Sequence, residues 1–293
     1  MEKVTEQNGF ILIDKPVGVT SRSVDNVIQR LFHTKKVGHL GTLDPFASGL
    51  LVIAINKGCK SLPFLDDSFK TYQASLYLGK STLSGDLTGE VKEDKEIPEI
   101  NEKQILEVFN SFIGVGEQIP PMTSALHHDG KRLYDLSRKG VEVERKPRRI
   151  EIKSLKLLSF IKNIVEFEVV CSRGTYVRTL GEDIAIKLGT VGHLTSLKRT
   201  AIGNKLSIEM AKKIEEITTS DLLNPASLIE LPSLEISDEK MINDIKSGKR
   251  ITLKTENDQI LLYTRTKANY DIIALAVYNR ESGDQFIIQR GLW

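Results

Sequence analysis

Apolar positions along the chain follow two spacings. Phe10-Ile11-Leu12-Ile13 and Leu50-Leu51-Val52-Ile53-Ala54-Ile55 are continuous short runs, the pattern of buried strands. Phe69 to Gly79 alternates, and Ile150–Phe160 and Ile164–Cys171 read as two further strands. Between these, Val24, Val27, Ile28 and Leu31 recur at helical spacing behind Thr20 or Ser21 as the cap. Ile105, Val108, Phe109 and Phe112 do the same behind Asn101, and Val177, Leu180, Ile184 and Leu188 do so ahead of a terminating Gly189. A helical turn from Leu133 would end at Gly140. Asn224 to Pro232 reads as a linker. Beyond it come a helix over 238–247 stopped by Gly248 and strands near Gln259–Tyr263, Ile272–Tyr278 and Phe286–Arg290, a small barrel-like module. Strands and helices mixed in this order predict an α+β protein.

The stretch from Gly38 to Gly49 breaks the pattern. Three glycines and Pro45 in twelve residues predict a loop, and the apolar run from Leu50 anchors it. Its one carboxylate is Asp44, which taken alone is a turn-capping residue ahead of Pro45. Glu90 to Ile100, acidic and without periodicity, predicts a mobile surface connection.

Composition narrows the function classes. With 293 residues, 40% hydrophobic and 27% charged, the chain can bury a substantial core. No apolar run approaches a membrane span, and Met1 to Asn8 has no apolar centre of a signal peptide. Cys59 and Cys171 offer neither a disulfide framework nor a metal spacing, so a reducing cytoplasm is the expectation. The net charge is +2, unevenly spread. Lys131 to Arg149 holds eight bases against three acids, and Asp86 to Glu107 eight acids against three bases. That asymmetry suits one face turned to a polyanion and equally suits two solvated charge runs.

His39-Leu40-Gly41-Thr42-Leu43-Asp44-Pro45 followed by Ser48-Gly49-Leu50-Leu51 resembles the catalytic motif of the TruB family, the bacterial tRNA pseudouridine-55 synthases. The similarity continues in Phe10 to Pro16, in the Lys70-x-Tyr72 strand, in Gln118 to Leu136, in Ser172 to Asp183 and in Gly192 to Gly203, so that it covers roughly residues 9–205. The chain departs from the family's pattern at Leu83-Ser84, in a segment that usually has an aspartate, while Asp86 and Gly89 fit; in the insertion Thr123 stands where a tyrosine is common, and His127-His128 where a lysine is usual.

The resemblance implies a pseudouridine-synthase fold, a mixed and largely antiparallel sheet flanked by helices. It implies a catalytic domain over 1–224, with a thumb-like RNA-binding insertion at about 119–149, and a small β-rich PUA-like module over 234–293. It assigns Asp44 to the sugar, by attack at C1′ or help in losing the C2′ proton, and Tyr72 to stacking on the uracil and proton transfer. Arg178 would pair with Asp44 and keep it ionised. Lys15 would build the cleft wall, Tyr176 and Leu197 the base pocket, and His39 would fill the space left by a flipped base. Lys131, Arg132, Lys198 and Arg199 would contact phosphate. The implied partner is the T-arm of tRNA, the protein acting as a monomer without cofactor or metal. Two rivals stand beside this reading: an RNA chaperone without catalysis, and a glycoside hydrolase, which would need a second carboxylate that no motif supplies.

Overall fold

The computed structural model describes residues 7–124, 127–128, 131–133, 140–265, 270–279 and 285–291. Its elements are β1 (Gly9–Lys15), α1 (Ser21–Leu31), β2 (Val37–Leu40), β3 (Ser48–Ile55), β4 (Phe69–Leu78), α2 (Glu102–Asn110), β5 (Gly114–Gln118), β6 (Arg148–Ile161), β7 (Ile164–Ser172), α3 (Val177–Lys187) and β8 (Gly192–Ile202). Among the described residues they build a sheet in the order Lys212–Lys213, β1, β3, β8, β4, β7, β6, β5. The pairs are antiparallel except those of β1 with Lys212–Lys213 and of β3 with β8. This is the mixed, largely antiparallel sheet expected.

The continuous apolar runs have a physical reason, since β1 and β3 are buried on both faces. Ile11, Ile13, Leu51 and Ile53 join the main core under α1, while Phe10, Leu12, Leu50 and Val52 face a second cluster. The alternating β4 turns Tyr72, Ala74, Leu76 and Leu78 into the main core and leaves Gln73 exposed. The helices bury the predicted stripes: Val24 and Ile28, Ile105 and Phe109, and Val177, Leu180 and Ile184. Thr20 caps α1 by accepting from the Ser23 amide, and Asn101 opens α2 with a reciprocal capping box with Gln104.

Four local expectations are corrected. The loop is shorter than 38–49, because Gly38–Leu40 belongs to β2 and Ser48–Gly49 to β3, leaving 41–47 as the true connection. The acidic stretch is structured in part: Val91–Asp94 pairs with Lys80–Thr82, and Ile97 and Ile100 pack on the core. The segment 224–232 is packed rather than a free linker; Pro225–Leu228 forms one helical turn, and Leu228 and Ile229 are buried in the second cluster with Leu261. The C-terminal strands form an open sheet among the described residues, in the order Ser233–Glu235, Gln259–Arg265, Tyr270–Asn279, Gln285–Gly291, Ile251–Thr252, so no barrel closes. The expected turn from Leu133 to Gly140 lies largely in 134–139, outside the described residues.

One seam places the site. Along a single edge of β3, β2 pairs from Ile55 to Val52, and β8 takes over at Gly49 and Ser48. The 41–47 loop leaves through the gap between these partners. Arg199 fills that gap: its Nε donates to Leu50 O at 2.8 Å and its Nη2 to Gly41 O at 2.9 Å. Carbonyls that would lose ladder partners at the split are satisfied by a side chain instead.

Gly49 sits where this handover is tightest. Its φ is +100°, and a Cβ there would stand 2.3 Å from Arg199 O. Gly49→Ala is expected to cost roughly 2–4 kcal/mol, combining left-handed backbone strain with a backbone clash. Chemical denaturation of the two proteins checks this, an unchanged midpoint being the contrary result.

Candidate active site

The 41–47 loop carries few residues and is nonetheless fixed. Leu43, Phe46 and Ala47 are buried in the core, so Asp44 projects from an anchored turn. The Ser21 hydroxyl clamps Leu43, donating to its carbonyl at 3.0 Å and accepting from its amide at 2.9 Å. Gly18 N–H donates to Pro45 O at 2.7 Å, and Ala47 N–H to Asp44 O at 3.1 Å.

Arg178 meets that loop from the first turn of α3. Its Nε lies 2.9 Å from Asp44 Oδ2, with the arginine side chain 4% exposed and that of Asp44 38% exposed. The rest of the guanidinium is also occupied. Nη1 donates to Ser84 O and to Thr123 Oγ1, Nη2 donates to Thr123 O at 2.9 Å, and Asp86 Oδ2 lies 3.7 Å from Nη1. Asp86 is itself held by Ser84 Oγ and by the amide and hydroxyl of Thr88. Four bonds from a guanidinium of five fixed donors thus join the Asp44 loop, Ser84 and Thr123 to one side chain.

A cavity of about 250 Å³ opens beside the pair. The loop (Gly41 to Asp44), β4 (Lys70 and Tyr72), the start of α3 (Tyr176 to Arg178) and β8 (Leu197 and Arg199) line it, with Ser124 entering from the insertion. Tyr72 and Arg199 are directly opposed across β4 and β8, and the positive charge of Arg199 acts on the Tyr72 hydroxyl. Tyr176 is placed by Gln118, whose amide side chain donates to Tyr176 O at 3.1 Å and accepts from its N–H at 2.8 Å.

The electrostatics differ from the expectation in one respect. Burial pushes the Asp44 carboxyl above its ordinary value of 3.8, with Asp86 adding to the rise, while Arg178 and Lys15 oppose it without reversing it. The ion pair orients Asp44 more than it acidifies it. Burial also raises Tyr72, opposed by Arg199, and lowers Lys70, opposed by Asp67. Burial lowers Lys15 to about 8, with Asp44 pulling the other way.

The structure therefore gathers Asp44, Tyr72, Arg178, Tyr176, Leu197 and Arg199 around one cavity. Lys15 stands behind it, fully buried, donating to Pro16 O and Val19 O at 2.8 Å; it braces the turn and reaches Asp44 by charge rather than by lining the cavity. His39 is held beside it, Nδ1 3.0 Å from Asp25 Oδ2 and Nε2 3.0 Å from Thr42 Oγ1. Arg199 is a correction, being 1% exposed and part of the seam rather than a surface contact for phosphate. Lys198, its neighbour, is half-buried. Lys131 and Arg132 pair in a short ladder with His127 and His128, and their side chains lie outside the described residues. Sequence reasoning missed Asp25, Lys70, Gln118 and the Thr123 contact. Lys70 alone had a local signal, since two residues before Tyr72 on a strand is the same face.

Comparison with known proteins now defines the class and then the family. Over 98% of this chain and 85% of the other, the fold matches the crystal structure of a Cbf5-Nop10-Gar1 complex, with a TM-score of 0.71 and 22% identity. The family model "TruB family pseudouridylate synthase (N terminal domain)" matches residues 29–177, and the chain belongs to that family, with the pseudouridine-synthase fold. It is 47% identical over 222 residues to the tRNA pseudouridine synthase B of Hydrogenovibrio crunogenus, spanning 75% of this chain and 73% of that one. It is 44% identical over 214 residues to the protein of the same name from Geobacter sulfurreducens, spanning 71% and 70%. No helix among the described residues is long and apolar enough to cross a membrane.

Glu182 lies one turn beyond Arg178 on α3, packs on Gly85 and is raised by burial, and by Asp183, from 4.5 to about 7. A carboxyl raised on folding contributes stability below 4.5 that is lost as pH rises through about 7. Melting temperatures of the natural protein and of Glu182→Gln are expected to diverge over that window, the natural protein losing ground with rising pH. Parallel curves would contradict it.

Proposed function

We propose that the protein isomerises uridine to pseudouridine at position 55, in the T-loop of tRNA, with Asp44 acting on the ribose of a nucleotide flipped into the cavity. The observation that carries this is the Asp44–Arg178 pair opening into the same cavity as Tyr72. The curated relatives, named tRNA pseudouridine synthase B, support tRNA as the substrate. An unpaired loop nucleotide also suits RNA recognition, which favours bases that can be splayed out.

In this reading the N1–C1′ bond breaks with its electron pair passing to the uracil. The ring turns while bound, C5 joins C1′, the C5 proton passes to a base and N1 takes up a proton, so that substrate and product are isomers. Asp44 either attacks C1′ or assists loss of the C2′ proton. Arg178 fixes which oxygen faces the sugar, because Nε holds Oδ2. Tyr72 stacks on the uracil and carries the proton, with the charge of Arg199 beside its hydroxyl. Leu197 and Tyr176 close the base pocket. His39, poised on Asp25 and Thr42, enters the space the base leaves. The insertion at 119–149 covers the T-loop, with Lys131, Arg132 and Lys198 toward phosphate. A chaperone that had lost catalysis would have no physical need for a carboxylate, guanidinium and phenol converging on one cavity.

The reading is tested with tRNA transcript tritiated at uridine C5. The natural protein is expected to release tritium to water, and Asp44→Asn to bind the same tRNA while releasing none; turnover by that variant would refute the mechanism. The acid limb of kcat is expected above 3.8, because the reacting form is the carboxylate and burial raises its pKa. A pH profile flat down to the ordinary carboxylate range would contradict it.

A further inference from the structure

The step Thr123–Ser124 brings the insertion to the catalytic pair. Thr123 accepts two bonds from the Arg178 guanidinium, the group that holds Asp44. The next residue, Ser124, lines the cavity. It is 4% exposed, and its Oγ has no hydrogen-bond partner among the described residues. Buried hydroxyls are ordinarily satisfied, and leaving one unmade costs free energy. The other such atoms, on Ser81, Arg145 and Thr179, belong to residues that do not line this cavity. An unsatisfied hydroxyl in the wall of a substrate cavity has a direct explanation, namely that its partner arrives with the substrate.

Its place in the wall says which part of the substrate. The residues that face the base in the reading above, Tyr72, Leu197 and Tyr176, come from β4, β8 and the start of α3. Ser124 is joined to Thr123, which bonds the guanidinium that holds Asp44, so the backbone ties it to the group assigned to the sugar. A serine hydroxyl both donates and accepts, matching a ribose hydroxyl that does the same.

We propose that Ser124 is a substrate-binding residue whose hydroxyl hydrogen-bonds the 2′-hydroxyl of the target nucleotide. This rests on the assignment of Asp44 to the ribose. It also gives the insertion two functions at adjacent positions, Thr123 bracing Arg178 and Ser124 sensing the sugar. Substrate entry then satisfies a polar group that is unpaired among the described residues.

A two-by-two binding cycle tests it. Dissociation constants are measured for T-arm RNA carrying uridine or 2′-deoxyuridine at the target position, with Ser124 present or replaced by alanine, in the Asp44→Asn background where neither RNA is turned over. Either change alone is expected to weaken binding by about 3- to 10-fold, and both together by no more than one. Losses that multiply, or uridine RNA bound as tightly by Ser124→Ala, would overturn the proposal. In the RNA-free natural background, Ser124→Ala is expected to melt at the same or a higher temperature, since it removes an unpaired polar atom. A clear drop would show the hydroxyl to be structural and would equally overturn it. Tritium release by the Asp44→Asn protein would instead refute the catalytic assignment.

Discussion

The guanidinium of Arg178 is the constraint on which the site depends. A cation 3% exposed cannot be left without partners, and this one bonds Asp44 of the 41–47 loop, Ser84 of the segment after β4 and Thr123 of the insertion, with Asp86 close by. Each of those segments is irregular backbone, and the 41–47 loop is also anchored by its own buried residues. Satisfying one buried charge fixes them together. The arrangement positions Asp44 without making it a strong acid, because burial raises its pKa against the pull of Arg178. A carboxylate in a partly open cavity, its pKa raised by burial, is oriented, available and less strongly solvated than a surface carboxylate.

A second buried arginine makes the first arrangement possible. β3 changes neighbours from β2 to β8 within a few residues, and Arg199 bridges the break to Leu50 O and Gly41 O. The loop with Asp44 emerges at that break and is pinned from below by Leu43, Phe46 and Ala47 in the core. Arg199 also reaches Tyr72 across the sheet. The two arginines line the cavity from one helix and one strand; Arg178 holds Asp44, and the charge of Arg199 acts on Tyr72.

The regular elements were legible in the sequence because burial imposes local periodicities. The six apolar residues from Leu50 to Ile55 announce a strand covered on both faces, and Val177, Leu180, Ile184 and Leu188 announce α3. The irregular segments were read less well. Val91–Asp94 is acidic and solvated, yet its backbone pairs with Lys80–Thr82, a gain that no side-chain pattern reveals. The Asn224–Pro232 stretch has turn-like composition, yet Leu228 and Ile229 are buried against β1, a long-range contact.

For the site, the sequence by itself determined the family and the loop with its single carboxylate, because a run of adjacent residues carries a motif, and the family resemblance in turn implied the pairing of Asp44 with Arg178 that the structure contains. Only the tertiary structure decided the surroundings that set the chemistry. Arg199 reads as one of two adjacent surface bases, and folding places it in a seam 1% exposed. Lys15 reads as a turn lysine or a cleft wall, and is a buried brace whose charge reaches Asp44. Thr123 reads as a departure from a pattern, and is the group that braces Arg178. In each case the reason is the same: burial, charge and unsatisfied hydrogen bonds depend on which distant residues are neighbours, and that is a property of the packed chain rather than of its local order.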